Sequence, residues 1–325
     1  MTETARAPSL GDRVASFYLA DHPIHPLVVL RVCLGTIMFL QYVLYTPYMA
    51  DIFGPEGLMA QVKPGGATWV INNYQLVWGM LLAGALCYTL GLFTRVAGLV
   101  AIVCHVAFHH QTWTYSWGDG TVGHVFIFYT LLGNPGGRLS IDAWLRRRRD
   151  PERAPPETTA AYAIRLIQLH ITAIYFMAAW NRVVRPGWQM GRMTYVALNQ
   201  SVFSRFPATD FFAYQWPLWA ATWYTWIIEL AAPAVLWLGD RNRTLRIYWV
   251  FGLMLMHLGL ELTSTIGWWQ FYMIVVLTTF LPPEWAQRFV CDAERRLGLA
   301  AHDSPAPAPA PAPADSGSDD DGAST

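Results

Sequence analysis

AAYAIRLIQLHITAIYFMAAWNRVVRPGWQMGRM, residues 160–193, begins as an apolar run of membrane-spanning length and ends in basic and aromatic residues. Polar groups recur along it. Arg165, Gln168, Thr172, Tyr175 and Arg182 are spaced by three, four, three and seven residues, which places them on one face of a helix. Facing lipid, such a stripe would be costly, so it is expected to face the inside of a helix bundle. Two readings fit it. One is hydrogen bonding between helices, with Arg165 and Arg182 reaching to the two surfaces. The other is a functional cavity.

The rest of the chain agrees with a membrane setting. Of 325 residues, 54% are hydrophobic and only 14% charged, with 16 Trp, 15 Tyr and 16 Phe. Mean hydropathy is +0.27 even with a very polar tail included. The expected fold is all-α, a polytopic membrane helix bundle of about eight transmembrane helices. Net charge is zero, and nothing suggests nucleic acid.

Working outward, spans are expected over residues 27–46, 74–90, 96–113, 121–133, the opening stretch, 218–238, 245–262 and 268–281. Residues 1–26 form an N-terminal cytoplasmic or interfacial segment with no signal-peptide core. Residues 27–285 are the transmembrane domain and 286–303 a cytoplasmic segment. Residues 304–325, with their Pro-Ala repeat and acidic run, are a disordered tail. Arg31, one turn into the first span, is expected to snorkel to the inner surface. A short amphipathic helix is expected over residues 191–202.

Positive charges set the orientation. Of the 22 Lys and Arg, five fall on the outer side (Lys63, Arg182, Arg185, Arg192, Arg205) and two within spans (Arg31, Arg165). The other 15 fall on the side of the N-terminus, which is therefore cytoplasmic, as is the C-terminus. The expected location is a bacterial inner membrane. The Arg146 to Arg149 run is a topology signal, with anionic lipid as a secondary possibility.

With that orientation the chemistry-bearing side chains converge in the outer half. They are His109, His110 and Asp119 at the outer end of the third span, His124 opening the fourth, and Arg182 closing the fifth. Glu229 lies in the sixth, and His257 with Glu261 in the seventh. A cavity open to the outer surface and roofed by Trp188 would collect them. HVAFHH carries an i,i+4 pair, His105 and His109, able to hold a metal on one face; hydrogen bonding across the bundle is the expectation, and no metal site is assigned. His257 and Glu261 suit either a proton-transfer pair or a local helix pair. Cys33, Cys87, Cys104 and Cys291 read as small buried hydrophobes. No GxSxG or P-loop occurs, and no GxGxxG is worth reading.

The segments resemble the HTTM family, the transmembrane domain shared with vitamin K-dependent gamma-carboxylase. LRVCLGTIMFLQYV resembles the family's Arg-containing first span. HHQTWTYSWGDG followed by GRLSIDAW resembles its turn and its Ser-hydrophobic-Asp signature, here Ser140-Ile141-Asp142. RLIQLHITAIYFMAAWNRVVRPGWQMG resembles its most typical stretch, and IIELAAP and MHLGLEL its later Glu and His positions. The resemblance spans about residues 25–285. It implies a membrane enzyme that oxidises a hydroquinone and uses the strong base so formed. The position of the carboxylase's active-site Lys is Arg182 here, preceded by Asn181, and Asp119 stands near the place of its functional His. Arg stays protonated where Lys need not. Carboxylation is therefore not expected.

The functional expectation is a redox or modifying enzyme. Its quinone-like or lipidic substrate would sit in the outer-half cavity, with a quinone or hydroquinone as possible cofactor. Arg182, Asp119, His257, Glu261 and His109 are the candidate catalytic residues. Asn181, Trp188, Tyr175, His110 and Glu229 are the candidate binding residues. Expected partners are the lipid bilayer and a partner membrane or redox protein. The alternative is a non-catalytic lipid- or quinone-binding or membrane-assembly protein.

Overall fold

The polar stripe of residues 160–193 does face inward, and the helices around it are laid out much as the apolar runs imply. The computed structural model describes residues 9–62, 68–112, 119–200, 202–206, 215–238 and 242–299. Ser9 opens α1 (Leu10–Leu19) with a capping box to Asp12. Strand β1 (Asp21–Pro23) leads into α2 (His25–Tyr45), which carries Pro26 in its first turn, where a missing N–H costs nothing. Three short helices fill the next loop: α3 (Met49–Phe53), α4 (Leu58–Val62) and α5 (Thr68–Asn72). Then come α6 (Tyr74–Leu90), α7 (Thr94–Thr112) and α8 (Asp119–Leu132).

The basic connection forms α9 (Ile141–Arg149) and strand β2 (Thr158–Ala160), followed by α10 (Tyr162–Val183). Strands β1 and β2 pair antiparallel, Asp21 with Ala160 and Pro23 with Thr158, a ribbon that periodicity does not announce. The aromatic loop holds α11 (Pro186–Gln189) and α12 (Met193–Leu198), so the helix expected over 191–202 is shorter than its pattern. Last are α13 (Gln215–Val235), α14 (Arg243–Thr263), α15 (Trp269–Leu277) with a 3-10 turn over Thr278–Phe280, and α16 (Pro283–Arg296).

Three helical stretches are long and apolar enough to cross a membrane: His25–Gln61, Tyr162–Val183 and Arg243–Thr263. At about 1.5 Å per residue, α10 reaches roughly 33 Å, against a hydrocarbon core of about 30 Å. The apolar helices Tyr74–Leu90, Thr94–His110, Thr121–Leu132 and Trp269–Phe280 are shorter, and α13, which carries Glu229 and Pro233, is not among the three. Outward faces are apolar: Val103 is 66% and Leu255 61% exposed, as suits side chains that meet lipid.

Helices α2 and α10 form the centre. α2 packs against α6, α8, α15 and α16, and α10 against α8, α13 and α15. Since lipid tails are as apolar as the core, packing and interhelical hydrogen bonds hold such a bundle. Tyr272 donates to Gln41 (3.0 Å), Gln168 to the Thr279 carbonyl (2.7 Å) and Trp249 to the Ile228 carbonyl (2.9 Å). At its N-terminal end, α10 carries Arg165 over the ring of Phe17 on α1.

Arg31 does not snorkel. It is wholly buried, and its guanidinium donates to the carbonyls of Pro135 (2.8 Å), Arg138 (3.2 Å) and Leu139. Carbonyls of the turn after α8 replace the water that a snorkelling head would have reached. The Ser-hydrophobic-Asp signature sits beside it. Ser140 caps α9 by accepting from the Ala143 N–H. Asp142 reaches across to accept from the N–H groups of Phe93 and Thr94, both at 2.9 Å, at the start of α7. Gly91, at φ 70°, lets α6 end there; a Cβ would lie 2.3 Å from that of Ser140.

The C-terminal segment docks on this end of the bundle. Val290 of α16 packs with Ile24 and Val28, and Glu294 takes Arg138 Nη2 at 2.6 Å. Arg138 also pairs with Glu157 and bonds His25 Nε2 at 3.2 Å. Burial disfavours its charge, but the bond to Glu294 and the charges of Glu294 and Glu157 outweigh that, raising its pKa above the ordinary arginine value. The tail at 304–325 lies outside the described residues.

Candidate functional site

Toward its C-terminal end, α10 turns Tyr175 and Arg182 toward α13, α14 and α15. The space between these four helices is a cavity of about 230 Å³. Arg182 lines it with Glu229 of α13, His257 of α14 and Gln270 of α15. Glu229 is 4% exposed, and its Oε2 meets Arg182 Nη1 as an ion pair. That contact falls outside hydrogen-bond geometry. Glu229 Oε2 and Arg182 Nε are buried with no hydrogen-bond partner among the described residues. The Trp188 ring, from α11, covers the guanidinium with its centroid 4.4 Å away.

A hydrogen-bonded chain runs along the other wall. Tyr175, fully enclosed, bonds His257 Nε2 at 2.9 Å, and His257 Nδ1 faces Gln270 Oε1. An amide oxygen only accepts, so Nδ1 carries the ring proton and Nε2 accepts from the Tyr175 hydroxyl. The aromatic loop is pinned overhead: Thr194 N–H donates to Thr222 Oγ1 of α13 at 3.0 Å. Gly191, at φ 70°, lies where a Cβ would meet Trp223 Nε1 at 2.8 Å, so the loop packs closely on α13.

Of the residues singled out by sequence, Arg182, Glu229, Tyr175 and His257 come together, with Trp188 above them. Glu261 does not line the cavity. It pairs with Arg205 at 2.8 Å, because i+4 from His257 carries it past the cavity to the outer loop. Asn181 is exposed, donates to its own helix at the Met177 carbonyl (2.9 Å) and does not line the cavity. The side chain of Asp119 lies outside the described residues. Gln270 was missed, although a lone Gln in the apolar run WWQFYMIVVL is the same kind of signal as Gln168.

The histidines of HVAFHH form a second group away from this cavity. His105 bonds Tyr42, and its ring lies 5.9 Å from that of His109 and 5.3 Å from that of His124. Thr121 Oγ1 lies 3.3 Å from His109 Nε2, and His110 is exposed. Among the described residues no group of three or more His, Cys, Asp or Glu is placed to hold a metal ion. All four cysteines are free thiols.

An inward polar cavity between apolar helices with lipid-facing outer surfaces is the layout of a helical integral membrane protein. The HTTM domain family model matches residues 20–285, and the chain belongs to that family. The relation to the membrane domain of gamma-carboxylase is consistent with this match. No curated protein and no solved structure matches the chain.

Proposed function

We propose that this chain is a membrane-embedded redox or modifying enzyme that acts on a quinone-like or lipidic substrate at the Arg182 cavity. The observation that carries the reading is the joining, in the walls of one cavity, of the Arg182–Glu229 ion pair and the Tyr175–His257–Gln270 chain. At about 230 Å³ the cavity is smaller than the ~300–1,000 Å³ usual for whole drug-sized ligands. It suits a single ring or headgroup whose tail runs out between helices. The unpartnered Arg182 Nε is a donor for a carbonyl or oxyanion of that head.

The residues divide the work. Arg182 stabilises negative charge on a substrate oxygen, and its own charge is balanced by Glu229. Tyr175 takes a proton from that oxygen as its own passes to His257 Nε2, and the imidazolium formed keeps its Nδ1 proton on Gln270. Trp188 keeps water from Arg182. A quinone head would supply the two carbonyl oxygens that such a site reads, and electrons would be exchanged with a partner redox protein. Arg182 cannot serve as the deprotonated base that a Lys provides, so carboxylation is not part of the reading. The reading places eight crossings in a bacterial inner membrane with both termini cytoplasmic.

A non-catalytic lipid- or quinone-binding or assembly role is favoured by one observation: Glu229 already balances Arg182, as a purely structural pair would require. The test is mass spectrometry of small molecules retained by the purified chain. A quinone or hydroquinone retained by the native protein and lost from Arg182→Gln supports the enzyme reading. Retention of bulk phospholipid alone, unchanged in the variant, overturns it.

A further inference from the structure

At the opposite, inner face the turn after α8 separates two adjoining pockets that the proposed chemistry does not use. One, about 300 Å³, lies between α9 and the segment 153–156 and is lined by Arg146, Arg147 and Arg153. The other, about 290 Å³, is lined by Arg95, Phe93 and Val96. Asn134 and Arg146 line both, so the two pockets share a wall.

The acids nearby are largely spoken for. Glu294 is held by Arg138 and by the Leu139 N–H at 2.8 Å. Asp142 is held by Phe93 and by Thr94, whose hydroxyl donates at 2.7 Å. Asp150 is the one other acid lining either pocket among the described residues. The two pockets together hold four arginines, Arg95, Arg146, Arg147 and Arg153, none of which makes a salt bridge among the described residues. Arg146 gives one nitrogen to the carbonyls of Gly136 (2.7 Å) and Gly137 (3.3 Å), and Arg95 one to Gly133 (3.2 Å). Arg147 bonds the Leu299 carbonyl through Nη1, while its Nη2 is buried with no partner among the described residues. A concave site with a net excess of guanidinium and a buried unspent donor calls for a phosphate-bearing anion.

The second pocket tells which kind. Phe93 is 71% and Val96 64% exposed, and the same outward face of α7 continues through Leu99 and Val103. An anion whose phosphate sits among the arginines therefore meets an apolar track running away from it along the lipid-facing side of the helix. We infer that the paired pocket binds the headgroup of an acidic phospholipid, with its acyl chains along the Phe93–Val103 face of α7.

The test uses the full chain in detergent, with thermal unfolding followed while phosphatidylglycerol, phosphatidylcholine or inorganic phosphate is added. Phosphatidylglycerol should raise the melting temperature by mass action, and the other two should not. Arg153→Gln is the main variant, because Arg153 is exposed and its side chain bonds nothing among the described residues; Arg147→Gln is the second. Each should weaken the response to phosphatidylglycerol by about fivefold in apparent affinity, the usual worth of one basic residue at an acidic membrane surface. Arg149→Gln, outside both pockets, should leave it unchanged.

Equal stabilisation by phosphatidylcholine, or equal loss in Arg149→Gln and Arg153→Gln, would reduce the site to diffuse attraction and overturn the inference. A shift reproduced by inorganic phosphate alone would overturn the lipid as its source. A phosphatidylglycerol shift that appears only after truncation at Asp303 would give the pocket to the chain's own acidic tail, and would overturn it as well.

Discussion

Arg182 on α10 and Glu229 on α13 form an ion pair in the wall of the cavity at the C-terminal end of α10, with the glutamate almost wholly buried and the arginine roofed by Trp188. Removing one partner of a buried pair leaves a charge without compensation, at a cost of about 3–5 kcal/mol. Glu229→Gln and Arg182→Gln are each expected to lower thermal stability in detergent. The double variant should recover much of that loss while still failing to retain a ligand. Additive losses in the double variant would mean that the two side chains are not coupled.

Arg182→Lys separates anchoring from recognition. A lysine reaches the membrane surface as well as arginine does, but lacks the planar fork that grips an oxyanion at two points. At equal membrane abundance, the variant is expected to lose most of the co-purifying ligand seen by mass spectrometry. Full retention in both Arg182→Lys and Arg182→Gln would reduce Arg182 to a marker of the membrane edge.

Tyr175→Phe removes one hydroxyl from the chain to His257. If that hydroxyl relays a proton, turnover of an added soluble hydroquinone should fall by about 10²–10⁴-fold while ligand retention stays near normal. A variant with unchanged turnover would take Tyr175 out of the chemistry and leave it a packing residue.

Asp142 offers a test with a pH sign. Burial pushes its carboxyl up, but the N–H and hydroxyl of Thr94, the N–H of Phe93 and the charge of Arg146 outweigh that. Its pKa is therefore below the ordinary 3.8. A lowered folded-state pKa means that the cap contributes fully above about pH 4 and is lost as pH falls through the lowered value. Asp142→Asn should cost about 0.5–2 kcal/mol near neutral pH, as loss of a helix cap does. The gap between variant and native protein should close in acid. A gap that is constant across pH would show that the carboxylate charge is irrelevant.

Topology is checked by fusing a reporter active only outside the cytoplasm after Leu299. No activity is expected, since 15 of the 22 basic residues mark the side on which the chain begins. Strong activity would refute the eight-crossing reading.

How far the sequence carries is visible residue by residue. Residues 74–90 are helical as their apolar run implies, and Gly91 ends that helix as a left-handed glycine should. The inward stripe on α10 follows from spacing alone, because a helix fixes which side chains share a face. Partners do not follow from spacing. By sequence Glu261 is a counter-charge for Arg182, yet the packing of α13 on α10 brings Glu229 there, while Glu261 meets Arg205. Arg31 was misread for the same reason. Its place near the end of a span suggested water, whereas carbonyls from a turn about a hundred residues later fill that role.

The order in which the ribosome delivers the inner face also matters. Arg138 is buried among His25, Glu157 and Glu294, and Glu294 is on the final helix. Until α16 is made, the guanidinium lacks the partner that takes Nη2 and the Leu139 N–H lacks its acceptor. A nascent or prematurely terminated chain ending before Pro283 therefore presents an undercompensated cation beside the open end of α2. The last helix acts as a clasp, and a chain without it should be legible to membrane quality-control proteases as unfinished.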